Sequence, residues 1–288
     1  MDPKTLLRQL APSAYRLAVW ARRGPATKRI IRLPTRMSGR RLFKVGGAIT
    51  VDVSERMGLG GILTNAGNAL YVARKYEVDL ALRFTSPTYA PSWGQIEWLE
   101  SYFVRLGRSP GDAPVCNAED VPALKPPPTL RDCADLVWST IRIRDDIVSG
   151  ADQFIQSPTF AAVHFRGSDK FLDSPRVATE TMLSTAEREM EREELECLFV
   201  ATDEPVFVAQ AQQRFGSAMF SLPLEAVASE NGTPAHFGDI EGETKAREAL
   251  TTMIILSRSQ LLLKTESLLS DWAMTLANNQ RVVLVKPQ

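Results

Sequence analysis

The chain has 288 residues, with 34 basic and 34 acidic side chains and a formal net charge of zero. Hydrophobic residues make up 44% and charged residues 24%, which excludes the low-hydrophobicity signature of disorder and leaves enough apolar side chain for a sizeable core. A chain of this length forms one large domain or two of about 150 residues each.

The zero balance hides an asymmetry. Residues 1–44 carry twelve Lys and Arg side chains against Asp2 alone, so the remainder of the chain is acidic by the same margin. Such a segment attracts anionic lipid or another polyanion. Leu6, Leu7, Leu10, Tyr15, Leu17, Ala18 and Trp20 suggest a helix there, either packed on the protein or lying on a membrane surface. Arg8 and Arg16 interrupt it, and no apolar run reaches the roughly 20 residues needed to span a bilayer. No signal-peptide cleavage pattern is read there. Few aromatics accompany the basic residues, and no nucleic-acid-reading motif does, so no nucleic-acid partner is expected.

Residues 41–51 form a mixed, strand-like lead into the turn Met57-Gly58-Leu59-Gly60-Gly61. Ile62, Leu63, Ala66, Ala69, Leu70, Val72 and Ala73 then recur at helical spacing, and Asp79 to Phe84 reads as the next strand. A glycine-rich turn that opens a helix brings a ligand or another backbone close to free amides, which makes Gly60 a candidate contact. The dinucleotide fingerprint needs a later glycine that Ile62 and Leu63 do not supply, so an NAD site is not expected. Between Ser109 and Leu130 the prolines 110, 114, 122, 126, 127 and 128 predict a connection without regular elements. Arg131 to Val148 reads as one helix, with Asp145 and Asp146 beside Arg142 and Arg144 on a solvated face. Cys116, Cys133 and Cys197 are widely spaced and odd in number. They fit neither a disulfide framework nor a zinc site, and read as the reduced thiols of a cytosolic protein.

The second half alternates regularly. Strands are predicted over 159–165, 196–202, 219–222, 260–264 and 281–285, with helices over 180–194, 206–215, 244–258 and 268–278. That rhythm predicts a parallel sheet covered on both faces. Its carboxyl edge gathers His164 to Lys170, Thr202 to Glu204 and Thr265 to Ser267, which is where open α/β sheets bind ligands. Arg166 is the first candidate, because a guanidinium grips a diphosphate through several hydrogen bonds and offsets charge building on a leaving group. His164 either bonds a phosphate or sugar or braces the loop. Asp169 is read as orienting Arg166 or the loop, Lys170 as a second positive charge, and Asp173 as a candidate general base for an acceptor hydroxyl.

The stretch Val163-His164-Phe165-Arg166-Gly167-Ser168-Asp169-Lys170 resembles the His-x-Arg-Arg-x-Asp-Lys motif of α1,6-fucosyltransferases. It is more distantly similar to a motif of α1,2- and protein O-fucosyltransferases. Two further blocks follow in the family's order. Leu198 to Pro205 is similar to its strand ending Ala-Thr-Asp-Asp-Pro, and Ile255 to Ser267 to its Leu-Ser to Thr-Phe-Ser-Ser segment. The likeness spans residues 45–285, most strongly in the second half. It implies an α/β, GT-B-like fold of two Rossmann-like domains with mostly parallel sheets. The domains are expected at 42–130 on the acceptor side and at 131–288 for the nucleotide sugar, after a basic segment at 1–41.

The resemblance further implies inverting fucosyl transfer from GDP-fucose to a glycan hydroxyl, with no metal and no cofactor beyond the donor. Carried over by position, Arg166 contacts the diphosphate, His164 sits beside the nucleotide, and Lys170 lies near the reacting centre. Asp203 supports the site, while Thr265 and Ser267 line the phosphate or nucleotide pocket. The chain departs from the pattern at four places. Gly167 replaces the second arginine, Ser174 stands at the acceptor-activating glutamate, and Thr252 at a nucleotide-contacting aspartate. Glu266 replaces an aromatic residue. These departures keep two alternatives open: another nucleotide sugar as donor, or an inactive relative that binds a glycan.

Overall fold

The computed structural model describes residue 43 and residues 47–92, 97–166, 176–225 and 239–287. Ten strands and eight α-helices are described. In chain order they are β1 (Ala48–Val53), α1 (Leu59–Lys75), β2 (Asp79–Phe84), α2 (Leu99–Tyr102), β3 (Phe103–Arg105) and β4 (Val115–Asn117). They continue with α3 (Leu130–Thr140), β5 (Ile141–Ile143), α4 (Asp145–Gln153), β6 (Ala161–Phe165), α5 (Thr179–Arg192) and β7 (Leu198–Thr202). The last are α6 (Pro205–Phe215), β8 (Met219–Ser221), α7 (Gly242–Arg258), β9 (Leu261–Lys264), α8 (Leu268–Met274) and β10 (Arg281–Leu284).

Two parallel sheets organise these elements. The first has the order β2-β1-β4, the second β10-β9-β6-β7-β8, and β3 and β5 form a separate antiparallel pair. Every residue of β6, β7 and β9 is buried, as their mainly apolar runs require of strands covered on both faces. The faces then separate by alternation. Ala161, Val163 and Phe165 of β6 pack with Met182 and Leu183 of α5 and Phe207 of α6. Ala162 joins the larger core that holds α1, α7 and α8, so His164, two residues on, is directed to that same side.

Local chemistry explains the helix ends. Thr129 and Asp132 form a reciprocal capping box at the start of α3. Pro205 opens α6, and Gly216 follows its end at a φ of 57°. The last turn of α1 carries Arg74 and Lys75, which suit the negative end of its dipole.

Two expectations change. The helix predicted over 131–148 breaks at Ile141, where the chain turns extended and pairs with β3. Ile141 and Ile143 are buried and Arg142 is exposed, a period-two pattern inside what reads as one helix. Val115–Asn117, between Pro114 and Pro122, is a short edge strand beside β1, with Thr50 N–H bonded to the carbonyl of Pro114 at 2.9 Å. Cys133 of α3 packs in the core with α1, and β5 pairs with β3.

No helix among the described residues is long and apolar enough to cross a membrane. The basic segment at 1–41 lies outside them.

Candidate functional site

The strand register builds the site. In the parallel pairing of β6 with β9, His164 stands opposite Lys264. The backbone N–H of Thr265 donates to the carbonyl of His164 at 3.1 Å, and the N–H of Arg166 donates to Thr265 Oγ1, also at 3.1 Å. Arg166 is therefore held by its backbone at the carboxyl edge of the sheet, beside the turn that carries Thr265 and Ser267.

The electrostatics around it are unusual for a surface edge. His164 is 7% exposed, and its Nδ1 is buried without a hydrogen-bond partner among the described residues. Burial, reinforced by the charges of Arg166 and Lys264, pushes its pKa down to about 3. The imidazole is thus neutral near pH 7 and has polar capacity to spare. Ser267 Oγ, at a residue 2% exposed, is likewise without a partner among the described residues. Two orphaned buried polar atoms at the ends of adjacent strands are what a ligand-binding edge offers, because such groups are otherwise satisfied.

The first half of the chain reaches this edge through Tyr89. Its hydroxyl accepts the first backbone N–H of α1, that of Leu59, at 2.8 Å. Burial raises the Tyr89 pKa; the Leu59 N–H and then the nearby positive charge of Arg166 act in the opposite sense. Tyr89 is fixed by its own neighbours: Tyr102 donates to its carbonyl at 3.2 Å, and Trp98 packs edge-on at 5.8 Å. Its loop, between Pro87 and Pro91, gave no motif signal.

At Gly60 the backbone of α8 makes a close approach. A Cβ there would lie 2.5 Å from the carbonyl carbon of Leu268 and 2.7 Å from the nitrogen of Leu269. The glycine is buried where α8 packs on α1, and its lack of a Cβ permits that close helix approach. Thr252 is buried within α7. Asp203 is half-buried in the turn after β7, where Thr202 Oγ1 accepts the N–H of Glu204 at 3.1 Å. Lys170 and Asp173, with Gly167, Asp169 and Ser174, lie outside the described residues.

Further site-edge residues emerge only in three dimensions. Arg176 pairs with Glu204 and lies 5.8 Å over the ring of Phe165, which stacks on Phe207 at 4.1 Å. Burial raises the Glu204 pKa, against the opposing charge of Arg176. Lys264, 4% exposed, pairs with Asp271 of α8. Among the described residues, no group of three His, Cys, Asp or Glu is arranged to hold a metal ion. Asp145 and Asp146 pair with Arg142 and Arg144 on an exposed face, as expected.

The architecture matches solved structures. The fucosyltransferase NodZ from Bradyrhizobium aligns with a TM-score of 0.52 at 16% identity, covering 79% of this chain and 92% of that one. The chain has the NodZ fold. NodZ α1,6-fucosyltransferase soaked with GDP-fucose aligns over the same shares, with a TM-score of 0.51 at 15% identity. A NodZ structure co-crystallised with GDP gives 0.51 at 16%. The α/β architecture with mostly parallel sheets is thus that of a GT-B fucosyltransferase fold. No family model matches the chain, and no curated protein sequence does.

Proposed function

We propose that the protein is a glycosyltransferase that transfers a sugar from a nucleotide donor, GDP-fucose in the first instance, to a glycan hydroxyl with inversion. The observation that carries this reading is the placement of Arg166: its backbone is fixed by Thr265 at the carboxyl edge of the second sheet, beside the orphaned His164 Nδ1 and Ser267 Oγ. The fold adds support, since NodZ has been crystallised with GDP and soaked with GDP-fucose.

In the proposed reaction the acceptor oxygen attacks the anomeric carbon, and the bond from that carbon to the diphosphate oxygen breaks. The electron pair leaves with the nucleoside diphosphate, and the acceptor proton passes to a base. Arg166 offsets the negative charge that grows on the diphosphate, a contribution that increases toward the transition state. His164, neutral, gives the donor a hydrogen-bond partner without adding charge. Asp203 braces the neighbouring turn, and Thr265 and Ser267 line the pocket. Asp173 is assigned the proton and Lys170 a second positive charge near the reacting centre. With protein cations to meet the diphosphate, transfer is expected to persist in EDTA.

One observation favours a second donor class. Thr252 cannot accept the paired hydrogen bonds of a guanine edge as a carboxylate does, so a nucleotide other than GDP is the alternative. Calorimetric titration with GDP, GDP-fucose and UDP tests the proposal. Selective binding of the guanine nucleotides supports it, selective UDP binding moves the donor assignment, and binding of none removes the nucleotide-sugar reading.

A further inference from the structure

Lys264 ends β9 with 4% of its surface exposed, and a buried ammonium of this kind persists only when paired. Its partner, Asp271, is on α8, seven residues further along. Between them runs the turn 265–267. The pair therefore spans that turn as a staple from the end of a central strand to the following helix. Within the staple, Asp271 N–H donates to the Ser267 carbonyl at 3.0 Å, and Ser270 Oγ donates to the same oxygen at 3.0 Å. At the other end, Thr265 N–H holds the His164 carbonyl while Thr265 Oγ1 receives the N–H of Arg166.

We propose that Lys264 and Asp271 are positioning residues of the candidate site: their ion pair fixes the turn 265–267 and, through Thr265 Oγ1, the backbone of Arg166. The assignment of what is positioned rests on the nucleotide-sugar reading above; the mechanical coupling does not. Lys264 acts through its neighbours in a second way. Standing opposite His164 in the register, its charge adds to burial and to the charge of Arg166 in opposing protonation of the imidazole. Asp271 balances this charge from the side of α8, itself seated against Gly60 of α1. The pair thus links the candidate diphosphate contact to the packing of the two halves.

The test is amide-resolved hydrogen exchange on the wild-type protein and on the double variant Lys264→Met with Asp271→Leu, which keeps apolar volume in place of the pair. Exchange at Arg166 and Thr265 is expected to quicken roughly ten-fold or more, with Val163 in the strand interior unchanged, because the opening is local. Asp271→Glu, which keeps the charge, is expected to retain protection. Unchanged exchange at Arg166 overturns the proposal. So does a uniform acceleration at Val163 and Val200, which marks a pair that stabilises the fold without positioning the site. Should the double variant not fold, Lys264→Met alone, which leaves the more exposed Asp271 to water, is read in the same way. GDP titration on the same samples separates the two readings. If wild type binds GDP, the double variant is expected to bind at least about ten-fold more weakly. If wild type binds no nucleotide, the nucleotide reading fails while exchange still decides the coupling.

Discussion

The hydroxyl of Tyr89 accepts the backbone N–H of Leu59 at 2.8 Å, so a side chain from the loop after β2 satisfies the first amide of α1. Both groups are buried, and water cannot replace the oxygen. Tyr89→Phe is expected to cost about 1–3 kcal/mol by leaving that N–H unpaired. Urea unfolding of the variant checks this, and a loss below about 0.5 kcal/mol would contradict the role assigned to the contact.

Gly58 and Gly60 are two residues apart and predict opposite outcomes. A Cβ at Gly60 meets the backbone of Leu268 and Leu269, whereas at Gly58 nothing lies within 4 Å. Gly60→Ala should therefore destabilise by about 1–3 kcal/mol, since backbone must move to make room. Gly58→Ala should change stability far less. Thermal unfolding of the two variants side by side distinguishes a packing glycine from one that merely turns the chain.

His164 predicts a pH dependence with a definite sign. Its folded pKa, about 3, lies below the unfolded value of 6.5, so the unfolded chain binds the extra proton between these limits. The contribution is present in full above about pH 6.5 and is lost as pH falls toward 3. The steepest loss from one such group is about 1.4 kcal/mol per pH unit. Urea midpoints from pH 7 to 4 for wild type and His164→Gln measure it as a difference. The wild type should lose stability faster on acidification, and parallel curves would show that the imidazole is not held neutral.

The sequence displayed the second half more fully than the first. The buried runs of β6, β7 and β9 are apolar until their last residues, so they announce central parallel strands, and their carboxyl ends lead to His164, Arg166, Thr265 and Ser267. β5 was hidden because three residues cannot establish a period against the helical pattern around them, and only β3, far back in the chain, makes them a strand. Gly60 was legible only in part, for a related reason. A glycine before a helix signals close approach, but the approaching group, the backbone of α8, is more than 200 residues away in the chain. The Lys264–Asp271 and Arg176–Glu204 pairs were equally invisible, since a charged residue at a strand end looks the same whether solvent or a helix receives it.

The most direct test of the account is the affinity of GDP for wild type and for Arg166→Ala, measured by calorimetry at one ionic strength. Removing a guanidinium that grips a diphosphate should cost about 2 kcal/mol or more, roughly a 30-fold or greater rise in Kd. Equal affinities in the two proteins would contradict the assignment of Arg166 as the diphosphate contact.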